Sequence, residues 1–515
     1  MKDTAKAAAG REHEHRVIIV GTGFAGIGMA IRLQQAGIRD FVMLERSDRL
    51  GGTWRDNDYP GAACDVQSHL YSYSFAPNPD WSRMFAPQGE ILAYTLDCVA
   101  RYGLEPHIVY NRNVVRADFD ESTALWTVET EDGSRYRGQA LVSGAGGLSR
   151  PSYPDIPGLE TFRGRMFHTA QWDHGYALAG KRVAVVGTGA SAIQVVPAIV
   201  DEVGHLTLFQ RTAPWVLPKP DREIGPRERA LYRRFPVLQQ LQRNRIYWSL
   251  EARVLGFVYD PRIMKGAELL ARGFLRHAVK DAELRRKVTP TYTIGCKRIL
   301  MSNEYYPALQ RENCAVVTDS IVAVEPTGVR TADGVLHEVD CIIMATGFQA
   351  AEAAAPFPIT GLGGVDINDA WADGAEAYKG TMVAGFPNLF MIVGPNTGLG
   401  HSSMIFMIEA QVEYALAALR ELFASGAGYI DVRREVQDAY NEQLQERLGR
   451  AVWATDCNSW YKTASGRNTT LWPGFTWDFR RRLLDFRPDE HRLVAVGVAA
   501  AAHRTVTAAA PGTAA

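Results

Sequence analysis

The sequence predicts an α/β fold with two Rossmann-like domains, the second of which carries a helical insertion. Residues 17–20 (VIIV) and 183–186 (VAVV) are short runs rich in Val and Ile, and each leads into a glycine-rich turn followed by a helical pattern. Residues 217–290 are rich in Arg, Leu and aromatic residues at helical spacing, which predicts the insertion. With 515 residues, 46% of them hydrophobic, the chain is long enough for two or three domains.

The first glycine-rich turn has the pattern G-x-G-x-x-G at Gly21, Gly23 and Gly26. These glycines permit a tight turn and bring backbone N–H groups close to a pyrophosphate, which lies at the positive end of the following helix. The next strand, FVMLE, ends in Glu45, about 20 residues beyond the last glycine, where a carboxylate binds ribose hydroxyls. We interpret this first site as an FAD site.

The second turn repeats this plan with a small Ala in the third position: Gly187, Gly189, Ser191 and Ala192. The strand HLTLF follows, and Arg211 and Thr212 stand where the first domain has its acid. An Arg suits a 2′-phosphate through charge-assisted hydrogen bonds, so this site predicts NADPH as the second cofactor. The alternative is that Arg211 is a solvated surface charge.

Composition and charge restrict the classes of partner. The formal net charge of -1 gives no electrostatic reason to expect nucleic acid or an anionic membrane. The six cysteines form no C-x-x-C pair, which argues against a zinc site, a disulfide framework and a dithiol redox centre. We therefore predict no metal and a cytoplasmic location. Since no apolar run reaches the ~20 residues of a membrane helix, we expect no stable membrane insertion and a small-molecule partner.

Two longer motifs are the most specific in the chain. FRGRMFHTAQWD at residues 162–173 fits the pattern F-x-G-x-x-x-H-x-x-x-W followed by Pro or Asp, and GGTWRDNDYPGAACD at residues 51–65 includes Gly52, Trp54 and Asp65. Together they resemble the two signatures of the class B flavin monooxygenases, and more narrowly of the Baeyer-Villiger monooxygenases. The ATGF at residues 345–348 is similar to the weaker family marker at which such chains return to the flavin domain.

The resemblance extends from about residue 16 to about residue 485 and implies an FAD domain built from both ends of the chain, with the NADP domain between them. The expected parts are 16–148 and 346–490 for the FAD domain, 149–216 and 291–345 for the NADP domain, 217–290 for the helical insertion, and 1–15 and 491–515 for flexible tails.

His168 and Trp172, in the first of these motifs, lie between the two glycine-rich turns, where the chain crosses from one domain to the other. By resemblance we expect them to couple the placement of the nicotinamide to the flavin, rather than to transfer protons. The alternative for His168 is a buried imidazole that is satisfied by backbone groups.

The resemblance also implies the reaction: a ketone, NADPH and dioxygen give an ester or lactone through a deprotonated C4a-peroxyflavin. In CKRILMSNEYYPAL, Arg298 resembles the family Arg that stabilises this anion, and Asp65 resembles its partner carboxylate. Lys297 resembles a second ligand of the 2′-phosphate. Trp460, in the SWY motif, corresponds to a Trp that closes over NADP.

Other functions are weighed against this one. A flavin monooxygenase that oxidises sulfur or nitrogen typically has Tyr or Phe in place of Trp172. A non-oxygenating NADPH-dependent flavin electron donor needs a redox relay, and the sequence has no dithiol or iron–sulfur motif. The insertion is expected to roof the site, the alternative being a basic amphipathic surface for membrane contact. The identity of the ketone, the oligomeric state and the role of His401 stay open.

Overall fold

The structure is a computed structural model that describes residues 12–349, 355–455, 461–463 and 465–496. Its strands are β1 (Glu12–Val20), β2 (Phe41–Leu44), β3 (Ile108–Val109), β4 (Val114–Asp120), β5 (Leu125–Thr130), β6 (Arg135–Ser143), β7 (Arg165–His168), β8 (Arg182–Val186), β9 (His205–Phe209), β10 (Val216–Leu217), β11 (Leu300–Met301), β12 (Cys314–Val317), β13 (Ile321–Glu325), β14 (Gly328–Thr331), β15 (Leu336–Glu338), β16 (Cys341–Met344), β17 (Ile359–Thr360), β18 (Leu389–Met391), β19 (Tyr429–Val432) and β20 (His491–Val494). Its α-helices are α1 (Phe24–Gln35), α2 (Thr53–Asp56), α3 (Gln88–Arg101), α4 (Ala192–Ile199), α5 (Pro226–Arg234), α6 (Pro236–Glu251), α7 (Met264–Ala278), α8 (Ala282–Lys287), α9 (Tyr305–Ala308), α10 (Ile367–Ala370), α11 (Met404–Ser425), α12 (Arg434–Leu448) and α13 (Thr476–Leu484).

The larger sheet has the strand order β17-β4-β5-β6-β1-β2-β3, with β18 paired to β6. The strand β1 runs parallel to β2 and β6, and its apolar half, residues 17–20, is buried because helices cover it. Helix α1 packs against α11, which comes from the other end of the chain. This sheet and its helices therefore combine segments from both ends of the sequence.

The second sheet has the order β12-β9-β8-β16-β7, and all of its strands are parallel. The first glycine-rich turn follows β1, and the second follows β8. Each turn therefore lies at the carboxyl end of a strand that runs parallel to its neighbours, which is where nucleotides bind in doubly wound folds. The prediction of two Rossmann-like domains is confirmed.

The predicted tail limits need correction at both ends. Residues 12–15 belong to β1 and pair with residues 135–138 of β6, because this ladder continues past the apolar core. Residues 491–494 form β20, which pairs antiparallel with β19. Residues 1–11 and 497–515 lie outside the description, and the other domain boundaries stay predictions.

The insertion contains α5, α6, α7 and α8, which lie between the paired strands β10 and β11. A π-helical turn, Leu255–Tyr259, connects α6 to the start of α7 through a short 3-10 turn. Among the described residues, no helix is both long and apolar enough to cross a lipid bilayer.

The two domains meet where the segment after α2 reaches α4. Gly61, with φ of +81°, lies so close to α4 that an added Cβ would stand 2.6 Å from the carbonyl oxygen of Gln194. The side chain of Gln194 donates to the carbonyl oxygen of Ala63 at 2.9 Å and accepts a hydrogen bond from the hydroxyl of Tyr59 at 2.9 Å. The motif around Gly61 therefore fixes one domain against the other.

We expect Gly61→Ala to lower the free energy of unfolding in two ways. The left-handed backbone conformation is strained by any side chain, and the new methyl group also collides with main-chain atoms of α4, which should cost a further amount of about 1–3 kcal/mol. Gly37 provides the matched control, since it has φ of +80° and nothing within 4 Å of an added Cβ. Gly37→Ala should cost only the strain of the left-handed conformation, about 1 kcal/mol. Equal unfolding midpoints for the two variants in urea would contradict this account.

Candidate functional site

A cavity of about 1500 Å³ lies between the two domains and is lined by both glycine-rich turns. Most of the described residues that were predicted to bind a cofactor or to act in catalysis line this cavity, and Gly26 is the exception among them. Those that line it are Gly21, Gly23, Glu45, Gly52, Trp54, Asp65, Gly187, Gly189, Ser191, Arg211, Thr212, Lys297 and Arg298. His168 and Trp172, predicted to couple the domains, do not line it. Trp460 lies outside the described residues.

The first turn brings backbone segments into close contact. A Cβ on Gly26 would lie 1.9 Å from the carbonyl oxygen of Gly21, so Gly26 lets α1 begin directly behind the turn rather than facing the cavity. At Gly23 an added Cβ would meet only Gly52, at 3.8 Å, and would otherwise point into open space. Gly21, Gly23 and Gly52 thus leave room for a pyrophosphate at the start of α1.

Glu45 is buried at the end of β2, and the protein already holds its carboxylate in place. One oxygen accepts a hydrogen bond from the backbone N–H of Thr22 at 3.1 Å, and the other from Arg55 at 2.6 Å and from the backbone N–H of Ser47 at 3.0 Å. Sequence reasoning missed Arg55, although it lies inside the GGTWRD motif. The acid is therefore oriented before any ribose arrives.

The second turn faces two cations that have no acidic partner among the described residues. An added Cβ on Gly187 would lie 2.4 Å from the carbonyl oxygen of Ala345, whereas Gly189 faces open space. The pKa of Lys297 is lowered by burial and by the nearby charge of Arg211. Two like charges that repel each other at a cavity wall form a site for a dianion such as a phosphate monoester. Thr212 closes the turn by accepting a hydrogen bond from Thr188 through its carbonyl oxygen at 2.8 Å.

Asp65 and Arg298 form an ion pair in the same cavity. The Nε of Arg298 donates to Oδ2 of Asp65 at 2.8 Å, and Nη2 donates to the same oxygen. The side chains of Arg298 and Asp65 are 38% and 35% exposed, because they line the cavity rather than the core. Asp65 raises the pKa of the guanidinium, which therefore stays protonated. Within the described part of the chain, Nη1 makes no hydrogen bond, so this part of the fork is free.

Tyr461 is a neighbour of this pair that sequence reasoning missed. It is buried, lines the cavity and interacts electrostatically with Arg298 and Asp65. Burial raises the pKa of its hydroxyl, so the group is a neutral donor and acceptor at neutral pH. The SWY motif could have indicated it, but our prediction fell on Trp460.

His168 is fully buried at the end of β7, and its ring lies between two segments that connect the domains. Its centroid is 5.7 Å from the rings of both Tyr153 and Phe348, and its Nδ1 accepts a hydrogen bond from the backbone N–H of Ala170. The connectors also bond each other, through Ser152 N–H and the carbonyl oxygen of Gly347 at 2.9 Å. His168 is thus placed at the crossing.

Trp172 does not lie beside His168 at the crossing, although both belong to the same motif. Its ring is 5.0 Å from that of Phe167, and it packs against the core of the second domain. Among the described residues, Trp172 makes no ring contact with the connectors. Its position supports packing within that domain rather than a place at the crossing.

His401 belongs to a buried cluster that joins the insertion to the loop before α11. Its Nε2 lies 3.4 Å from Oε1 of Glu251, and both side chains are almost fully buried. Glu251 also accepts hydrogen bonds from the backbone N–H and the hydroxyl of Thr476, at 2.9 and 2.7 Å. No sequence signal connects these residues, because they come from three separate segments.

The described cysteines are not all in the same state. Cys296, directly before Lys297, is disulfide-bonded. Cys64, Cys98, Cys314 and Cys341 are free. Among the described residues, no group of His, Cys, Asp and Glu side chains could hold a metal ion.

Comparisons with known proteins show what the chain is similar to. A profile described as "Pyridine nucleotide-disulphide oxidoreductase" matches residues 18–235. A "Baeyer-Villiger monooxygenase" of Pseudomonas aeruginosa is 52% identical over 487 residues, covering 94% of this chain and 92% of the relative. The crystal structure of cyclohexanone monooxygenase from Rhodococcus sp. Phi1 bound to NADP+ matches with a TM-score of 0.85 and 29% identity, covering 94% of this chain and 100% of that one. The structure of an OTEMO complex with FAD and NADP matches with a TM-score of 0.83 and 26% identity, with the same coverage.

The burial of His168 predicts a pH dependence of stability. Burial lowers the pKa of His168 from 6.5 to about 4, so the folded state disfavours the protonated ring. The stability that the neutral ring contributes is fully present above pH 6.5 and is lost as the pH falls from 6.5 towards 4. Between about pH 7.5 and 5, this loss amounts to about 2 kcal/mol.

The variant His168→Asn does not titrate in this range, and its amide oxygen can still accept the hydrogen bond from Ala170. We therefore expect its unfolding midpoint in urea to fall less than that of the native protein when the pH is lowered. Parallel pH profiles for the two proteins would show that His168 titrates normally in the folded state.

Proposed function

The chain belongs to the Baeyer-Villiger monooxygenases, and from this we propose that it converts a ketone to an ester or lactone. FAD and NADPH are its cofactors, and dioxygen is its co-substrate. One oxygen atom enters the product between the carbonyl carbon and a substituent that migrates. The other leaves as water, with two electrons from NADPH and one proton from solvent.

The observation that carries this proposal is the Asp65–Arg298 pair in the cavity that also receives both glycine-rich turns. Baeyer-Villiger chemistry attacks a carbonyl with a nucleophilic oxygen, so it needs a permanent positive charge beside the developing oxyanion. A monooxygenase that transfers an electrophilic oxygen to sulfur or nitrogen has no such need. The pair therefore favours ketone oxidation over that alternative.

The residues present fit both cofactors. We propose that Gly21, Gly23, Gly52 and Trp54 hold FAD with Glu45 on its ribose, while Gly187, Gly189 and Ser191 hold the NADP pyrophosphate. Support comes from the open space beside Gly23 and Gly189, where any side chain would occupy the room for a phosphate. FAD, once reduced, supplies the activated oxygen that is transferred to the ketone.

The chain's own residues then act on the carbonyl. Asp65 holds Nε and Nη2 of Arg298, which fixes the plane of the guanidinium and leaves Nη1 to donate to oxygen atoms in the cavity. Because the guanidinium cannot lose its proton, it stabilises an oxyanion throughout the reaction. Tyr461, which is neutral at pH 7, lies beside this pair in the cavity wall. We assign Arg298 and Asp65 as the catalytic pair and Tyr461 as a candidate neighbour.

We also propose that His168 couples the domains during turnover. Its ring contacts both connectors, so a change in the angle between the domains would alter its packing. Being neutral at pH 7, it has no charge to stabilise the reaction, which supports a mechanical role.

Arg298→Ala should still accept hydride from NADPH but should lose ester formation by about 10²–10³-fold, because the oxyanion has lost its charge partner. Product ester and NADPH consumption are measured together with a panel of ketones. Arg298→Lys restores the charge without the bidentate fork, so its rate of ester formation should lie between those of the native protein and Arg298→Ala. Near-native ester yield from Arg298→Ala would refute the assignment, while failure to reduce the flavin would show that the variant is misfolded or does not bind NADPH.

Arg211→Ala should raise the KM for NADPH by about tenfold or more and leave the KM for NADH nearly unchanged, because only NADPH carries the 2′-phosphate. Lys297→Ala should act in the same direction. Arg311→Ala is the control, since Arg311 is exposed in the same domain and pairs with Asp201. An equal effect of Arg211→Ala on NADH and NADPH would contradict a role in phosphate recognition.

A further inference from the structure

The helical insertion exposes large apolar side chains along one side of its longest helix. Along α6, Val237, Leu241 and Trp248 repeat at helical spacing, and Leu241 and Trp248 are 58% and 59% exposed. The opposite side of α6 carries Ile246, Tyr247 and Leu250, which are buried against the rest of the protein. A surface helix normally turns a polar face to water, whereas α6 carries large apolar side chains on its exposed side as well as on its buried side.

The apolar side continues beyond α6. Leu255 and Tyr259, on the π-helical turn, are 44% and 55% exposed. The ring of Tyr259 lies 5.4 Å from that of Phe475, which stacks on Trp477 of α13 at 5.7 Å, and Trp477 is itself 41% exposed. We define the apolar face as Val237, Leu241, Trp248, Leu255, Tyr259 and Trp477. Large apolar side chains that are exposed next to one another mark an interaction site.

The insertion is also strongly basic. Residues 217–290 contain 17 Lys and Arg residues and 8 Asp and Glu residues, a net charge of +9, whereas the whole chain carries -1. Arg234, Arg245 and Lys265 are exposed, and none has an acidic partner among the described residues. Arg245 lies on the exposed side of α6 between Leu241 and Trp248. The positive charge is thus interleaved with the apolar face.

We propose that this face docks on an anionic lipid bilayer. Exposed Trp and Tyr rings beside Arg and Lys are the residues that bind at the boundary between headgroups and acyl chains, where an apolar body and a polar tip are both satisfied. Anionic headgroups complement the net charge of +9.

Two other occupants fit less well. A second copy of this chain would place one positively charged insertion against another, which charge repulsion opposes. The terminal segments 1–11 and 497–515 contain one acidic residue, Asp3, so they offer no negative charge to match. A bilayer with acidic headgroups supplies both the charge and the apolar depth that the face requires.

The test uses the full-length, FAD-loaded protein and sedimented vesicles of phosphatidylcholine alone or mixed equally with phosphatidylglycerol. We expect the protein to sediment with the mixed vesicles, to remain in solution with phosphatidylcholine, and to be released as the salt concentration rises. Trp248→Glu and Leu241→Glu should each reduce the sedimented fraction by about tenfold. Flavin reduction by NADPH reports whether each variant is folded.

Leu96→Glu is the matched control, because Leu96 is 48% exposed on α3, outside the insertion. It should sediment like the native protein. The proposal is overturned if the native protein does not sediment with mixed vesicles, or if Trp248→Glu sediments as well as Leu96→Glu. Analytical ultracentrifugation that shows a dimer dissociated by Trp248→Glu would instead assign the face to a second copy of the chain.

Discussion

The ion pair between Asp65 and Arg298 joins segments that are 233 residues apart in the sequence, and the architecture around it serves to bring them together. Asp65 follows Gly61, which lies against α4, and Gln194 of that helix holds the carbonyl of Ala63. Arg298 lies two residues before β11, which pairs with β10 across the insertion. The ion pair therefore exists only when both domains and the insertion are assembled, so the reactive charge depends on the complete fold.

The same dependence applies to the other buried polar groups. Glu251 of the insertion, His401 before α11 and Thr476 of α13 meet in a cluster that water does not reach. An unpaired carboxylate in such a place would be costly, so these three segments hold one another in position. Because His401 lies in the loop before α11 and Ser402 beside it lines the cavity, this cluster links the insertion to the cavity wall.

The sequence predicted those features that are determined by residues close together in the chain. The turns at Gly21 and Gly187 follow from glycine spacing and flanking apolar runs, and the strand ending at Glu45 follows from its pattern. The pairing of Glu45 with Arg55, the bridge made by Gln194 and the Glu251–His401 contact depend on distant segments, and no periodicity records them. Trp172 shows the limit of a motif: its neighbour in the pattern, His168, lies at the crossing, while its own ring packs in the second domain. The sequence did not predict that β1 begins at Glu12, because the first residues of this strand are polar and only its second half is an apolar run.

The two connectors run side by side, with Ser152 and Gly347 bonded backbone to backbone and Pro151 opposite Phe348. The chain therefore enters and leaves the second domain at one point, as in a domain inserted into a host. Such a domain is a unit of exchange: a homologous domain with the same paired ends could replace it without rethreading the host sheet. Specificity for the nicotinamide cofactor can thus evolve, or be transplanted, separately from the domain that holds Asp65.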